Sequence, residues 1–208
     1  MSNKGLLIVI SGPSGAGKGT LCKALISRNN KLKLSVSCTT RRPRNGEVEG
    51  INYFFVEQEK FKDMIEKDEL LEYAQVYDNY YGTPRFFVDK NLNEGFDVIL
   101  EIDIQGALKI KEKYPEAVFI FILPPSMEEL KNRIKKRGSE TEESFLKRFK
   151  CAFQEINYIS KYNYVVTNDV IEEAVKKLES IIIAEKCRVD RIKQSDIFIQ
   201  LQEGCLNE

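Results

Sequence analysis

The stretch LLIVISGPSGAGKGT at residues 6–20 decides the fold of this chain. Its first part is an apolar run that predicts a buried β-strand, and its second part is a glycine-rich turn that opens a helical stretch at 21–28. A strand, such a turn and a helix form a P-loop, in which backbone N–H groups and the helix N-terminus surround a di- or triphosphate. Lys18 adds a cation between the β- and γ-phosphates. The sequence therefore predicts a nucleotide-phosphate site at residues 12–20.

The P-loop departs from its usual pattern at one position. Gly19 follows Lys18 where a serine or threonine usually coordinates Mg²⁺, and Thr20 comes one place later. Mg²⁺ keeps several of its waters and binds readily to substrate phosphates. We therefore expect the nucleotide and water to carry the metal, with Thr20 assisting.

The composition bounds the class of protein. A chain of 208 residues is long enough for one domain with a sizeable core. Lysine and arginine total 32 and aspartate and glutamate total 32, so the charge gives no indication of nucleic-acid binding. The apolar runs are too short to cross a bilayer, and the first residues carry no signal-peptide pattern. Five scattered cysteines without a CxxC pair lead us to expect reduced thiols and a cytoplasmic location.

The chain contains no histidine. This excludes Ser-His-Asp and Cys-His catalysis, histidine proton shuttles and most zinc sites. Any chemistry must therefore use lysine, arginine, carboxylates and a bound metal.

Apolar runs and amphipathic stretches alternate along most of the chain. The runs typical of strands buried on both faces lie at 6–11, 97–102, 118–123 and 164–167. The stretches typical of amphipathic helices lie at 21–28, 105–113, 127–137, 143–159 and 171–193. Ser126 and Glu129 predict a capping box at the start of one helix. The alternation predicts an α/β fold with a P-loop NTPase-type three-layer core, in which ligands bind at the carboxyl ends of a central parallel sheet.

Two segments interrupt this alternation. Residues 34–83 combine short strands with one helix near 59–67, which predicts a small mixed α+β insertion. Residues 136–148 begin with a strongly polar run, which predicts a lid. We therefore expect a single domain over 1–208, with its core at 1–33 and 84–208.

Further motifs, in order along the chain, resemble the signature of the guanylate kinases. They are SCTTRRPRNGE at 37–47, GINYFF at 50–55, YGT at 81–83, EIDIQG at 101–106 and RGSETEES at 137–144. The resemblance covers about residues 5–186 and is more specific than the P-loop alone. It implies that ATP with Mg²⁺ phosphorylates GMP, and dGMP, to the diphosphate in purine nucleotide metabolism, with release of ADP.

The resemblance implies a GMP site in the insertion and at the end of one core strand. Arginine and tyrosine positions match those that hold the acceptor phosphate in the family, and the planar donors of arginine suit phosphate. Two carboxylates and two hydroxyls match the positions that recognise guanine, whose ring N–H and amine have no counterpart in adenine. The implied GMP-binding residues are Ser37, Arg41, Arg44, Tyr53, Glu72, Tyr81, Thr83 and Asp103. Taken alone, Glu72 would be interpreted as a solvent-facing carboxylate and the arginines as a solvated turn.

The same resemblance implies the ATP site and the catalytic cations. Lys18, Arg44, Arg137 and Arg148 are implied to be catalytic, the last two by spreading charge over the transferring phosphoryl group. No general base is needed, because the attacking phosphate oxygen is already ionised. The implied ATP-binding residues are Gly12, Pro13, Ser14, Gly15, Ala16, Gly17, Lys18, Gly19, Thr20 and Asn168.

Four side chains keep two interpretations each. Glu101, at the end of a Walker B-like strand, fits either the water shell of Mg²⁺, with Thr20, or a structural salt bridge. Asn168 either contacts adenine or simply ends a strand. Arg133 is expected on a solvated helix surface rather than on phosphate, and Cys38 is expected to pack rather than to react.

The expected function is that of an ATP:GMP phosphotransferase, with small-molecule nucleotides as partners and neither nucleic acid nor membrane. A kinase for another nucleoside monophosphate would not need Glu72 and Asp103, because these carboxylates are implied to accept hydrogen bonds from guanine. A non-catalytic guanylate-kinase-like interaction module typically loses the P-loop lysine or the lid arginines, which this chain retains. A GTP-binding switch would need an Asn/Thr-Lys-x-Asp motif, which the sequence lacks. Both a monomer and a homo-oligomer are compatible with the sequence.

Overall fold

The computed structural model describes residues 4–76, 78–136 and 142–192. In chain order the elements are β1 (Leu7–Ser11), α1 (Lys18–Arg28), β2 (Leu32–Leu34), β3 (Cys38–Thr39), β4 (Phe54–Phe55), α2 (Gln58–Glu66), β5 (Leu70–Val76), β6 (Asn79–Pro84), α3 (Arg85–Asn93), β7 (Asp97–Glu101), α4 (Ile104–Lys113), β8 (Val118–Leu123), α5 (Met127–Lys136), α6 (Glu142–Ile156), a 3₁₀ helix (Asn157–Lys161), β9 (Tyr164–Thr167), α7 (Ile171–Lys186) and α8 (Val189–Ile192). A five-stranded parallel sheet in the order β2-β7-β1-β8-β9 forms the centre.

Alternating side chains of the central strands build a core on each face of this sheet. Ile8 and Ile10 of β1 pack toward α1 and α7, whereas Leu7 and Val9 pack toward α3 and α4. Successive residues of a strand point to opposite faces, and here helices cover both faces. This explains why β1 is apolar throughout, and it confirms the predicted three-layer α/β core.

The segment between β2 and α3 forms a second, mixed sheet in the order β4-β3-β6-β5. Helix α2 covers it through Phe61, which is fully buried and stacks on Tyr80 with ring centroids 5.5 Å apart. Cys38 packs in the same small core, and burial raises the pKa of its thiol to about 11. Cys38 is therefore a packing residue, as expected. The boundaries of the insertion at 34–83 and of the lid at 136–148 stay predictions.

One strand of the second sheet is held by the main core. Leu71 of β5 is fully buried among residues of β1, β7, α3 and α4. Lys113 of α4 donates its ammonium to the Leu71 carbonyl at 3.1 Å, and Lys109 donates to the carbonyl of Tyr73. Strand β5 therefore pairs with the insertion but is fixed to the core.

Several elements differ from the prediction. The sequence pattern does not predict β2, β6 or α3. Strand β2 has three residues and is too short to show a periodicity. The residues of β6 are interpreted only as a site motif. The predicted helix over 171–193 begins at Ile171 as expected but is not continuous, because α7 ends at Lys186 and α8 covers Val189–Ile192. Arg188 and Arg191 pair with the buried Glu185 carboxylate at this interruption. Helix α6 ends at Ile156 rather than at residue 159, and the 3₁₀ helix follows it.

The described part of the chain bears on three further expectations. The capping box is half formed: Ser126 Oγ accepts from the Glu129 N–H at 3.0 Å, while the Glu129 carboxylate pairs with Arg133. The four cysteines within the described ranges are free thiols. In those same ranges we find no helix that combines the length and apolar character needed to cross a membrane. The tail after Ser195 lies outside the described residues.

Candidate active site

The phosphate loop lies where β1 ends and α1 begins, at the carboxyl edge of the central sheet. Gly12, Gly15 and Gly17 all have positive φ, a backbone conformation that favours glycine. Lys18 is the first residue of α1, and its ammonium donates to the carbonyl oxygens of Gly12 at 2.6 Å and Pro13 at 3.2 Å. The predicted strand, loop and helix are therefore present, with the Lys18 cation held over the loop.

Asn168 supports this loop from the end of β9. It is almost fully buried, and its side-chain amide donates to the Ala16 carbonyl at 2.8 Å. A Cβ at Gly17 would lie 2.3 Å from Asn168 Nδ2, so this approach requires glycine. The Arg133 guanidinium pairs with Glu129 at 2.8 Å and donates to the Asn168 carbonyl at 3.1 Å. Arg133 is therefore held beside the loop, contrary to the expected solvated surface, and the contact of Asn168 with adenine stays a prediction.

Glu101 ends β7 directly beside the start of α1. A Cβ at Gly19 would lie 3.3 Å from each carboxylate oxygen of Glu101, so glycine leaves room for this acid. Thr20, one residue further along α1, is exposed. Across the described ranges no three acidic or cysteine side chains converge to form a metal cage. The Glu101 carboxylate and the Thr20 hydroxyl suit a Mg²⁺ ion that is bound to nucleotide phosphates and keeps its waters.

A buried carboxylate marks the second half of the site. Glu72 on β5 is 4% exposed, and the Thr83 hydroxyl on β6 donates to Glu72 Oε1 at 2.7 Å. The other oxygen approaches Gly106, where a Cβ would lie 2.7 Å from Glu72 Oε2. Burial raises the pKa of Glu72 to about 7; the Thr83 hydrogen bond opposes this rise and the charge of Asp103 adds to it. The solvent-facing interpretation of Glu72 is therefore excluded.

Asp103 and Ser37 lie near the Glu72–Thr83 pair. Asp103 caps helix α4 by accepting the Gly106 N–H at 2.9 Å through Oδ1, which fixes the orientation of its carboxylate. Ser37 directly precedes β3, and the register of β3 on β6, with Cys38 opposite Gly82, puts Ser37 next to Thr83. The residues predicted to recognise guanine thus lie close together.

The predicted phosphate clamp gathers on the second sheet. The Arg41 guanidinium lies over the Tyr53 ring, 5.5 Å from its centroid, and the rings of Tyr53 and Tyr81 meet edge to face at 6.0 Å. Burial, followed by the nearby charge of Glu101, raises the pKa of Tyr53 to about 12, so its hydroxyl stays a donor at neutral pH. Arg44 is exposed, so the clamp is assembled around Arg41 in this structure.

The sequence pattern does not single out Glu47, which organises this clamp. Its carboxylate receives a bidentate pair from Arg41 at 2.9 and 3.0 Å and accepts the Arg44 backbone N–H at 2.7 Å. Burial alone would raise the pKa of Glu47, but these hydrogen bonds lower it below its ordinary value. A carboxylate following three arginines in one motif is the signal that could have indicated this pair.

Helix α6 packs on α5 and contains part of the predicted lid. It carries the partly buried Arg148 and, near its end, Glu155. Leu130 and Ile134 of α5 pack against Ala152 of α6, which fixes the two helices together. The predicted catalytic residue Arg137 lies outside the described residues, as do residues 138–141 of the predicted lid.

The two halves of the site share one electrostatic environment. Burial is the main cause that raises the pKa of Glu72 and that of Glu155, and the charge of Asp103 adds to both. The site therefore combines a lysine-bearing phosphate loop, a buried glutamate near a helix-capping aspartate, and an arginine beside two tyrosines. These groups suit the transfer of a phosphoryl group between two bound nucleotides.

Comparisons with known proteins agree with this geometry. The family profile described as Guanylate kinase matches residues 4–185. A guanylate kinase of Caldanaerobacter subterraneus subsp. tengcongensis is 68% identical and covers 98% of each chain, and one of Clostridium perfringens is 66% identical over 93% of this chain and 90% of its own. The crystal structure of guanylate kinase from Anaplasma phagocytophilum superposes with a TM-score of 0.78 at 36% identity, covering 92% of this chain and 91% of the other. By profile, sequence and structure alike, this chain belongs to the guanylate kinase family.

Proposed function

We propose that this protein transfers the γ-phosphoryl group of ATP to GMP, and also to dGMP, producing ADP and the nucleoside diphosphate. Membership of the guanylate kinase family supports this reaction. The observation that carries the choice of guanine is the buried Glu72–Thr83 pair beside Asp103.

The acceptor phosphate must approach a strongly negative ATP tail, and this repulsion is the main obstacle to transfer. On the donor side, the loop N–H groups at residues 12–20 bind the ATP phosphates and the Lys18 ammonium holds the β- and γ-phosphates. Arg148, together with Arg137, stabilises the charge that spreads over the transferring group.

On the acceptor side, Arg41, Tyr53 and Tyr81 bind the GMP phosphate, with Arg44 joining from its exposed position. A guanidinium has five N–H donors, so Arg41 can keep Glu47 and still bind phosphate oxygens. An ionised oxygen of GMP then attacks the γ-phosphorus in line, the bond to the ADP oxygen breaks, and ADP leaves as the product. No side chain has to remove a proton.

The metal in this proposal is Mg²⁺ carried by ATP. Bound there, it supplies positive charge to the β- and γ-phosphate oxygens. Glu101, whose carboxylate lies against Gly19, is the side chain that would hold the water shell, with Thr20 as a second oxygen ligand. This agrees with a site that has single oxygen donors rather than a cage of acids.

Guanine offers a ring N–H and an amine, and each needs an acceptor. The carboxylates of Glu72 and Asp103 provide two acceptors, while Ser37 and Thr83 provide hydroxyls for the remaining polar edge. Adenine would leave at least one buried carboxylate unpaired, at a cost of about 1–3 kcal/mol or more.

A coupled assay for ADP tests the proposal, with ATP as donor and GMP, dGMP, AMP, CMP or UMP as acceptor in parallel. We expect kcat/KM for GMP and dGMP to exceed that for the other acceptors by at least about a hundredfold. Comparable turnover with AMP or UMP would contradict guanine selection. Absence of turnover with every acceptor, in a folded protein, would indicate an interaction module without catalysis.

The same proposal includes a cytoplasmic location, where thiols stay reduced, and nucleotides rather than nucleic acids as partners. The balance of 32 basic and 32 acidic residues supports the second point.

A further inference from the structure

Strand β5 contains a β-bulge immediately before Glu72. Pro84 of β6 pairs with Leu70 of β5. The residue before it, Thr83, pairs with Glu72, two positions further along β5. Residues 70–72 are all buried, although successive residues of a regular strand point to opposite faces. Leu71 is therefore an extra residue in β5, and a bulge of this kind changes the direction of the side chains beside it.

The bulge puts Leu70 and Glu72 on opposite faces of the second sheet. Leu70 packs with Phe61 in the small core of the insertion. Glu72 instead accepts the Thr83 hydroxyl at 2.7 Å and approaches Gly106 on α4. Residues two apart on a regular strand share a face, and a one-residue slip of register reverses every side chain. Without the extra residue, and with Leu70 in the same place, Glu72 would face Phe61 and not Thr83.

The Arg85 side chain holds the segment that leads into this bulge. Arg85 directly follows β6 and begins α3. Its Nε donates to the Asp68 carbonyl at 3.1 Å, and its Nη2 donates to the Leu70 carbonyl at 3.3 Å. Its backbone N–H donates to the carbonyl of Glu69 at 2.9 Å. One residue therefore binds three successive carbonyl oxygens before the bulge.

Helix α4 fixes the bulged residue from the core side. The Leu71 carbonyl accepts from the Lys113 ammonium at 3.1 Å. Arg85 Nη1 lies 3.5 Å from the hydroxyl of Tyr114, the residue that follows α4. The carbonyls of residues 68–71 are thus all bound by side chains or backbone from outside β5, and the same helix end adjoins both of the cations involved.

The contacts of Arg85 differ in how much they can contribute to this register. Its ion pair with Asp68 Oδ1, at 2.9 Å, is weak because the Asp68 side chain is 80% exposed. The Arg85 side chain itself is 28% exposed, and its rigid fork of donors reaches two carbonyl oxygens at once. Bonds to carbonyl oxygens fix the path of the backbone, which the ion pair does not.

We propose that Arg85 is a positioning residue for guanine recognition, whose guanidinium holds the bulge at Leu71 and thereby directs the Glu72 carboxylate toward the bound base. Loss of the guanidinium releases the carbonyls of Asp68 and Leu70, so that β5 can pair with β6 in another register. The inference rests on the proposed function, because it requires Glu72 to accept hydrogen bonds from GMP.

Arg85→Met tests the role of the guanidinium, because methionine keeps an unbranched side chain and removes every donor. In the coupled assay, run well below the Tm of each variant, we expect KM for GMP to rise about tenfold, since a misdirected acceptor weakens a charged hydrogen bond. The kcat at saturating GMP and KM for ATP should stay within about twofold of wild type, because the phosphate loop is unaffected.

A double-mutant cycle distinguishes an effect through Glu72 from a general loosening of the insertion. Glu72→Ala removes the side chain whose direction the bulge sets. In that background Arg85→Met should change KM for GMP by less than about twofold, because residues that act through one contact are not additive. If the double variant does not fold, Glu72→Gln takes the place of Glu72→Ala in the cycle, with the same expectation.

Two control variants separate the carbonyl contacts from charge. Asp68→Asn removes the ion pair and retains the backbone turn, since asparagine also tolerates the left-handed φ of +53° at this position. Arg28→Met makes the same chemical change at an arginine that pairs with Glu172 between α1 and α7. Both controls should leave KM for GMP within about twofold of wild type.

Three results would overturn the inference. The first is a KM for GMP in Arg85→Met within twofold of wild type. The second is an equal rise in KM for GMP with and without the Glu72 side chain, or a parallel rise in KM for ATP, which would indicate loosening alone. The third is an Asp68→Asn variant that reproduces the whole effect. If wild type itself failed to phosphorylate GMP, the proposed function would be wrong, whereas an active wild type with any of these three results would refute only the role of Arg85.

Discussion

Replacing Glu72 by glutamine should make the protein more stable and a poorer enzyme at the same time. The carboxyl is 4% exposed, and burial raises its pKa from 4.5 to about 7. Glutamine has nearly the same shape and can still accept the hydrogen bond from Thr83. It carries no charge that burial would penalise, and it lacks the acceptor strength that guanine requires.

The magnitude follows from the two pKa values. The folded chain keeps the Glu72 proton up to about pH 7, whereas the unfolded chain releases it near pH 4.5, so the folded state binds more protons in between. Stability is therefore lost as the pH rises through this window. At about 1.4 kcal/mol per pKa unit, the cost at pH 8 is of the order of 3 kcal/mol. The Gln variant avoids this cost, which corresponds to a Tm higher by roughly 5–10 °C for a chain of this size.

Urea unfolding and thermal melts at pH 5 and pH 8 measure this effect. We expect the variant to exceed wild type clearly at pH 8 and only slightly at pH 5. Glu69→Gln, an equivalent change at an exposed position one residue before β5, should show no such pH-dependent difference. In the same preparations KM for GMP should rise about 10- to 100-fold, because a hydrogen bond to a charged acceptor contributes about 1.5–3 kcal/mol.

The pH dependence of catalysis provides the refuting result. Wild-type kcat/KM for GMP should fall as the pH is lowered through about 7, while the Gln variant should lack this limb of the profile. Two results together would refute this reasoning: a variant that is no more stable than wild type at pH 8, and an unchanged pH dependence of kcat/KM for GMP. Glu72 would then neither have a raised pKa nor accept hydrogen bonds from guanine.

Three further predictions concern the phosphate loop and the lid. Lys18→Ala should lower kcat by about 10²–10³-fold in the coupled assay, at unchanged Tm, because a preorganised donor to the transition state is lost; turnover within tenfold of wild type would contradict the P-loop assignment. Arg148→Ala and Arg137→Ala should lower kcat more than they raise KM for ATP, the pattern of contacts made mainly in the transition state, whereas a change in KM alone would assign them to ground-state ATP. Labels on the exposed positions Asn45 and Leu146, in a variant without reactive native cysteines, should approach each other partly with one nucleotide and fully with GMP and an ATP analogue together, and a constant distance in all four states would exclude closure.

The sequence predicts the central sheet well because its strands are buried on both faces. The runs at 118–123 and 164–167 coincide with β8 and β9. Strands of a parallel sheet that are buried on both faces are apolar throughout, so a short continuous apolar run indicates such a strand. The three-residue β2 is set by its partner across the sheet, and no local pattern encodes it. The end of α7 depends on ion pairs with Glu185, which become visible only when the chain has turned back.

The site, too, has residues that the sequence predicts and residues that depend on tertiary packing. Lys18 and the loop glycines are predictable because a turn needs them at fixed spacing. The burial of Glu72 is not, because strand β5 alternates exposed and buried positions at its far end only, and tertiary packing against α4 decides the rest.

The anchoring of β5 to the core has a consequence for guanine recognition. The strand that carries Glu72 is fixed by Leu71 and by the lysines of α4, whereas Arg41 and Tyr53 belong to strands and turns farther from that anchor. In the proposed reaction, the base of GMP is therefore bound by a strand that is fixed to the core, so recognition of guanine does not require the insertion to move.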